Sequence, residues 1–282
     1  MPSKFLENRN STLYKIIDFI GHTNLFIALC AASLTVYSQE VIAKKITLSF
    51  VLITFSATLL LYNAQRMYLS FFQEEKRSFK NWYYKNKYGI ILLMIVCLAG
   101  LYPMLEISIR NFFIYLLSFC LGIFYFLPFS NLRTIPVVKS FTVGAVWTLV
   151  SVVAPLEQYP WDIKQIAFCL MQLFLISALC VLFNIRDMEE DRRSGTHSVP
   201  VLFGIGYAKK LTYLIFIFYL AAYPFVENSL NFFLVSFITF LAGCVFTYKT
   251  AHKNHPFYYS FGVDGIILLQ SIIGIFLFKF AR

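Results

Sequence analysis

The stretch IAFCLMQLFLISALCVLFNIRDMEEDRRSG, residues 166–195, holds the two features on which the fold turns. Its first part, as far as Phe183, belongs to an apolar run of roughly the 20 residues that cross a hydrocarbon core. Its second part is a dense run of charge that begins where the apolar run stops. Inside hydrocarbon every backbone polar group must be satisfied within its own segment, so the apolar part reads as a helix. A β-barrel strand would show about ten residues of alternating character, and this stretch does not alternate.

The rest of the chain repeats the pattern. Apolar residues make up 59% of the 282, and charged residues only 13%, where a soluble domain has about a quarter. The apolar residues gather into runs at approximately 13–37, 45–66, 88–106, 110–129, 137–157, 163–183, 209–227, 229–249 and 258–280. The expected fold is all-α, a polytopic membrane bundle of about nine transmembrane helices forming one domain over 1–282. The first run carries Asp18 and His22, four residues apart and able to pair. It is too long for a cleavable leader, and no small-residue cleavage site follows it.

Lys and Arg set the expected orientation. The N-terminus, the connections after runs 2, 4, 6 and 8 and the run ends that adjoin them carry 18 of the 24 basic residues. The positive-inside rule then places the N-terminus and these connections in the cytoplasm. The net charge of +10 reads as this topology signal rather than as a nucleic-acid footprint. It also favours contact with anionic lipid head groups or a phosphorylated substrate. All six cysteines fall inside apolar runs without a CxxC pair, so neither a disulfide framework nor a zinc site is indicated.

Two connections are long and charged, about 67–87 and 184–208. Where the preceding helix emerges toward each stands an aromatic–Asn pair, Tyr62–Asn63 and Phe183–Asn184. The two pairs lie four runs apart, which suggests an internal pseudo-repeat of spans 2–5 and 6–9.

Three polar clusters could carry chemistry. In the first, Asp187 and Asp191 would share a face if the helix continues through them. Two such carboxylates can hold Mg²⁺, with Arg186, Arg192 and Arg193 beside a phosphate. The same run also fits a solvated linker that anchors topology. In the second, Tyr125 precedes a Pro-broken turn flanked by Arg133 and Lys139, which suit a diphosphate or ordinary anchoring. In the third, Asn63 and Arg66 emerge near the membrane surface, and Glu74 and Glu75 follow. Asp264 stands apart as an intramembrane acid, which by default marks a function or a partner.

Taken together, the pattern resembles the UbiA-type intramembrane prenyltransferases. That family has nine transmembrane helices, acidic motifs at the cytoplasmic ends of helices 2 and 6, and basic residues after helix 4. Asp187, Asp191 and Gly195 keep the spacing of its second motif, although Val199 stands where a Thr is usual. Leu202, Phe203 and Gly204 fit the usual sequel. The first motif departs: Asn63 is kept, but Ala64, Met67 and Phe71 stand where three acids belong. Apolar side chains do not ligate Mg²⁺.

The resemblance implies transfer of a prenyl group from a prenyl diphosphate to an aromatic or lipid acceptor. It implies Asp187 and Asp191 as catalytic metal ligands with Glu190 as an auxiliary acid, Asn63 facing them, and Arg66, Arg133, Lys139, Arg192 and Tyr125 around the diphosphate. The implied cofactor is Mg²⁺, reduced to one ion by the altered first motif. The implied partners are a prenyl diphosphate, a hydrophobic acceptor and the bilayer. Two other readings stay open. One is a family member that binds an isoprenoid without transferring it. The other is a transporter using Asp264, Asp18 and His22, which would call for broken helices near the midplane. A head-group transferase would need a dense Asp-Gly-Asp type signature, which the sequence lacks.

Overall fold

A computed structural model describes residues 12–72, 82, 86–126 and 135–280. The first two helices, α1 (Thr12–His22) and α2 (Leu25–Ser38), meet at a corner. Asn24 makes that corner with φ 60°, in the left-handed region, which asparagine adopts more readily than most residues. No α-helix runs through such a residue. This corrects the expected first run at 13–37: the span is Leu25–Ala43, and Asp18 and His22 sit on the separate helix before it. A π-helical turn, Gln39–Ala43, completes α2.

The bundle continues with α3 (Leu48–Phe72), α4 (Lys87–Gly100), α5 (Ile109–Phe126) and α6 (Pro136–Thr148). Next come α7 (Ile163–Arg186), the short α8 (Met188–Arg193), α9 (Val199–Ala221), α10 (Leu230–Lys249) and α11 (Gly265–Phe280). Within α9, Gly204 has φ 81° and ψ 165°, so Val199–Phe203 forms a turn before the main helix. Among the described residues eight helices are long and apolar enough to cross a membrane, and Ile109–Tyr125 is a further, shorter apolar helix. The chain is thus a multi-pass α-helical membrane protein.

Helix α7 lies at the centre, packed chiefly on α6 and α9, while α2 packs on α3 and α11. Lipid tails are as apolar as leucine, so association relies on close packing and internal hydrogen bonds. Both occur. A Cβ on Gly274 of α11 would lie 2.1 Å from the Tyr37 ring of α2. A Cβ on Gly144 of α6 would lie 2.4 Å from the Ser177 hydroxyl and 3.0 Å from the Leu173 carbonyl oxygen of α7. Between helices, the Asn184 amide of α7 donates to Ser140 Oγ of α6 and the Gln270 amide of α11 donates to the Tyr219 hydroxyl of α9. Outside this core, Ile91, Leu92, Ile95 and Val96 of α4 are exposed and face the space of lipid.

An apolar cavity of about 260 Å³ lies among α2, α3, α5 and α6. Leu61, Met104, Phe119 and Val150 line it together with Tyr62 and Trp147. There the Trp147 indole donates to the Tyr62 hydroxyl at 3.1 Å.

Candidate active site where α3, α7 and α11 meet

The charged run after α7 keeps a helical path past a kink. Asp187 leaves the helix at φ −87° and ψ 5°, yet the Asp191 N–H still donates to the Asp187 carbonyl at 2.8 Å. Gly195 then ends α8 at φ 70°, a conformation open to glycine at little steric cost. The Thr196 N–H donates back to the Asp191 carbonyl at 2.8 Å.

The two motif acids point to different cations. Arg186 holds Asp187 bidentately, with Nε at 2.7 Å and Nη2 at 3.0 Å. Its guanidinium lies 4.7 Å from the Phe183 ring centre and 5.6 Å from that of Tyr259, distances suited to cation–π attraction. Lys139 Nζ, from α6, donates to both oxygens of Asp191 at 2.9 and 2.7 Å. Both of these side chains are buried, at 7% and 5% exposure. Beside them the Asn184 amide donates to Ser140 Oγ at 3.0 Å, tying α7 to α6. Glu190 and Arg192 face outward, and Arg192 pairs with Glu189 at 3.2 Å.

Across the site, α3 fastens the α1–α2 corner. The Asn63 amide donates to the Thr23 and Leu59 carbonyls, both at 2.8 Å, and its oxygen accepts from Asn24 at 3.4 Å. Arg66 Nη1 donates to the Gly21 carbonyl at 3.1 Å and to that of His22 at 3.0 Å. These are carbonyls at the end of α1, which lack partners within the helix. The expected Asp18–His22 pair forms at 3.2 Å, and the Trp82 indole donates to Asp18 at 3.1 Å.

Asp264, at the start of α11, is buried in the same region. Arg186 of α7 and Arg66 of α3 lie within electrostatic reach of it. So do Tyr62 and Cys180, and Cys180 is also within reach of Lys139. Tyr125, half-buried on α5, lies within reach of Tyr62. Thus Asn63, Arg66, Tyr125, Lys139, Asp187 and Asp191 gather at one end of the bundle, as their sequence positions suggest. Arg133, Glu74 and Glu75 lie outside the described residues.

The family's two-ion Mg²⁺ site does not fit these residues. Positions 64 and 67 hold Ala and Met. Among the described residues no three His, Cys, Asp or Glu side chains come together as a ligand set. Asp187 and Asp191 are each held at both oxygens by a cation of the chain itself. Sequence reasoning weighted Arg186 too little, because a charge next to a motif reads as a bystander until its rotamer is seen. It missed Trp147 altogether, and it read Asn24 as a hydrogen-bonding polar group rather than as a corner. Asn24 had one available signal, a polar left-handed former inside an apolar run.

The class is therefore a helical membrane bundle whose charged cluster adjoins an apolar cavity. The sequence model of the UbiA prenyltransferase family matches residues 84–257, and the chain belongs to that family. Two solved structures share its fold. One is a UbiA homologue from Archaeoglobus fulgidus bound to GPP and Mg²⁺, with a TM-score of 0.63 at 16% identity over 90% of this chain and 98% of that one. The other is a digeranylgeranylglyceryl phosphate synthase, with a TM-score of 0.58 at 13% identity over 93% and 97%. Among curated proteins, no sequence matches significantly.

Proposed function

We propose that the protein is a prenyltransferase that moves a prenyl group from a prenyl diphosphate to a hydrophobic acceptor within the membrane. One observation carries this reading. Arg66 of α3, Arg186 of α7 and Tyr62, which lines the apolar cavity, all lie within electrostatic reach of Asp264 at the start of α11. A prenyl diphosphate has the matching shape, an anionic head on an apolar tail.

In this reading the tail lies along Leu61, Phe119 and Val150, and the head meets Arg66, Arg186 and Lys139, with Arg192 and Tyr125 at the rim and Arg133 as a further diphosphate ligand. These cations stabilise charge as it develops on the leaving diphosphate. The allylic C–O bond breaks, and the cavity keeps water from the carbocation. Asp187 and Asp191 orient the cations rather than standing free. A single Mg²⁺ bound to them, with Glu190 beside it, would have to displace Arg186 or Lys139. Arg186 and Arg66 therefore supply much of the positive charge. The Lys and Arg bias supports a cytoplasmic position for this end of the bundle and for the N-terminus, and the paired aromatic–Asn positions support a single domain with an internal pseudo-repeat.

The test is calorimetric binding of geranyl diphosphate to the purified protein, with and without Mg²⁺, followed by mass spectrometry for prenylated products. Arg186→Ala and Arg66→Ala are each expected to weaken binding at least tenfold, the loss of one charge-assisted contact. Absence of binding in the unaltered protein under both conditions would sink the reading. Binding without any product would favour a second one, an isoprenoid-binding protein that performs no transfer. The missing acids at positions 64, 67 and 71 speak for that alternative.

A further inference from the structure

We propose that Asp264 receives the acceptor, and that the acceptor is a neutral molecule presenting a hydroxyl group to it. The proposal rests on the transferase reading and names its second substrate by chemical class.

Asp264 differs from the two motif acids in its contacts. Asp187 and Asp191 have both oxygens engaged by Arg186 and Lys139. Among the described residues no group donates a hydrogen bond to the Asp264 carboxylate, although the residue is only 8% exposed. Its contact with Cys30 uses the backbone: Cys30 Sγ donates to the Asp264 carbonyl at 3.4 Å. A helix-capping role does not account for the acid, since Asp264 has helical φ −64° and ψ −29°. A buried acid in an apolar bundle is costly and is retained where it has a partner or a task.

Its position suggests the task. Arg66 and Arg186, the cations placed around the diphosphate, lie within electrostatic reach of it. So does the Tyr62 hydroxyl, and Tyr62 lines the cavity. The reacting carbon of a prenyl diphosphate lies at the same junction of head and tail. An ionised carboxylate only accepts hydrogen bonds, so the group it holds must donate one. A hydroxyl does this, and a carboxylate on the acceptor would be repelled. The step then balances. The C–O bond to diphosphate breaks, and its electron pair leaves with the diphosphate. The acceptor oxygen bonds to the allylic carbon, and its proton passes to Asp264.

Two probes share one ring and differ in charge: 4-hydroxybenzyl alcohol is neutral and 4-hydroxybenzoate is anionic. Calorimetry on detergent-solubilised protein loaded with geranyl diphosphate gives the affinity for each. The unaltered protein is expected to favour the alcohol by at least about tenfold, a modest figure for a buried like-charge clash. Asp264→Asn should erase that preference, because an amide both donates and accepts and carries no charge. Asp264→Glu should keep it, and it carries the test together with the unaltered protein if the Asn variant does not fold. Equal affinity for both probes, affinity for neither, or an unchanged preference in Asp264→Asn would overturn the assignment. Each of these leaves geranyl diphosphate binding in place, whereas loss of that binding would instead sink the transferase reading.

Discussion

Replacing Lys139 by methionine leaves the Asp191 carboxylate buried without its cation. The geometry decides the size of the effect. A solvent-exposed ion pair contributes about 0–1 kcal/mol, but these side chains are 7% and 5% exposed and joined through both carboxylate oxygens. Removing one partner of such a pair costs about 3–5 kcal/mol, because the remaining charge has neither water nor a counterion. Removing both is different. Lys139→Met combined with Asp191→Leu exchanges the pair for apolar volume and should be near neutral, or stabilising by about 1–4 kcal/mol. The assay is unfolding in mixed micelles, followed by tryptophan fluorescence, on all four members of the double-mutant cycle. A loss below about 1 kcal/mol in Lys139→Met would refute the reasoning, since it would place the pair in the solvent-screened regime. A double variant as unstable as the single one would refute it too.

Two further outcomes concern packing and the α1–α2 corner. Gly274→Val should cost about 1–3 kcal/mol by overpacking, since even a Cβ meets the Tyr37 ring at 2.1 Å; the same micelle unfolding reads it. Arg66→Met removes the donors to the Gly21 and His22 carbonyls, with bonds to a charged donor contributing about 1.5–3 kcal/mol each. Hydrogen exchange should rise across Thr12–His22 and stay unchanged in α10.

Much of the bundle is legible in the sequence because hydrocarbon demands long apolar helices, and the runs at 163–183 and 229–249 match α7 and α10 closely. The break at Asn24 was only faintly legible, since one polar residue inside an apolar run does not by itself say that the helix turns there. The candidate site was legible by position but not by pairing. The spacing of Asp187 and Asp191 suggested two acids acting together on one face. Side-chain reach decided otherwise: Arg186 folds back on its neighbour, and Lys139 arrives from a helix 52 residues away in the chain. Such partners depend on how helices are rotated about their axes, which the hydropathy of each run leaves undetermined. Asp264 was visible as an anomaly, yet its neighbours Arg66 and Arg186 come from two other helices.

Arg66 belongs to two structures at once. Its donors close the end of α1, and its charge faces Asp264. An anion that drew the guanidinium away from the Gly21 and His22 carbonyls would leave Asn63 as the fastening of the Asn24 corner. Occupancy of the site and the posture of the amino-terminal helix are thus linked through one side chain. A filled head-group pocket and a tightly docked α1 draw on the same five N–H donors.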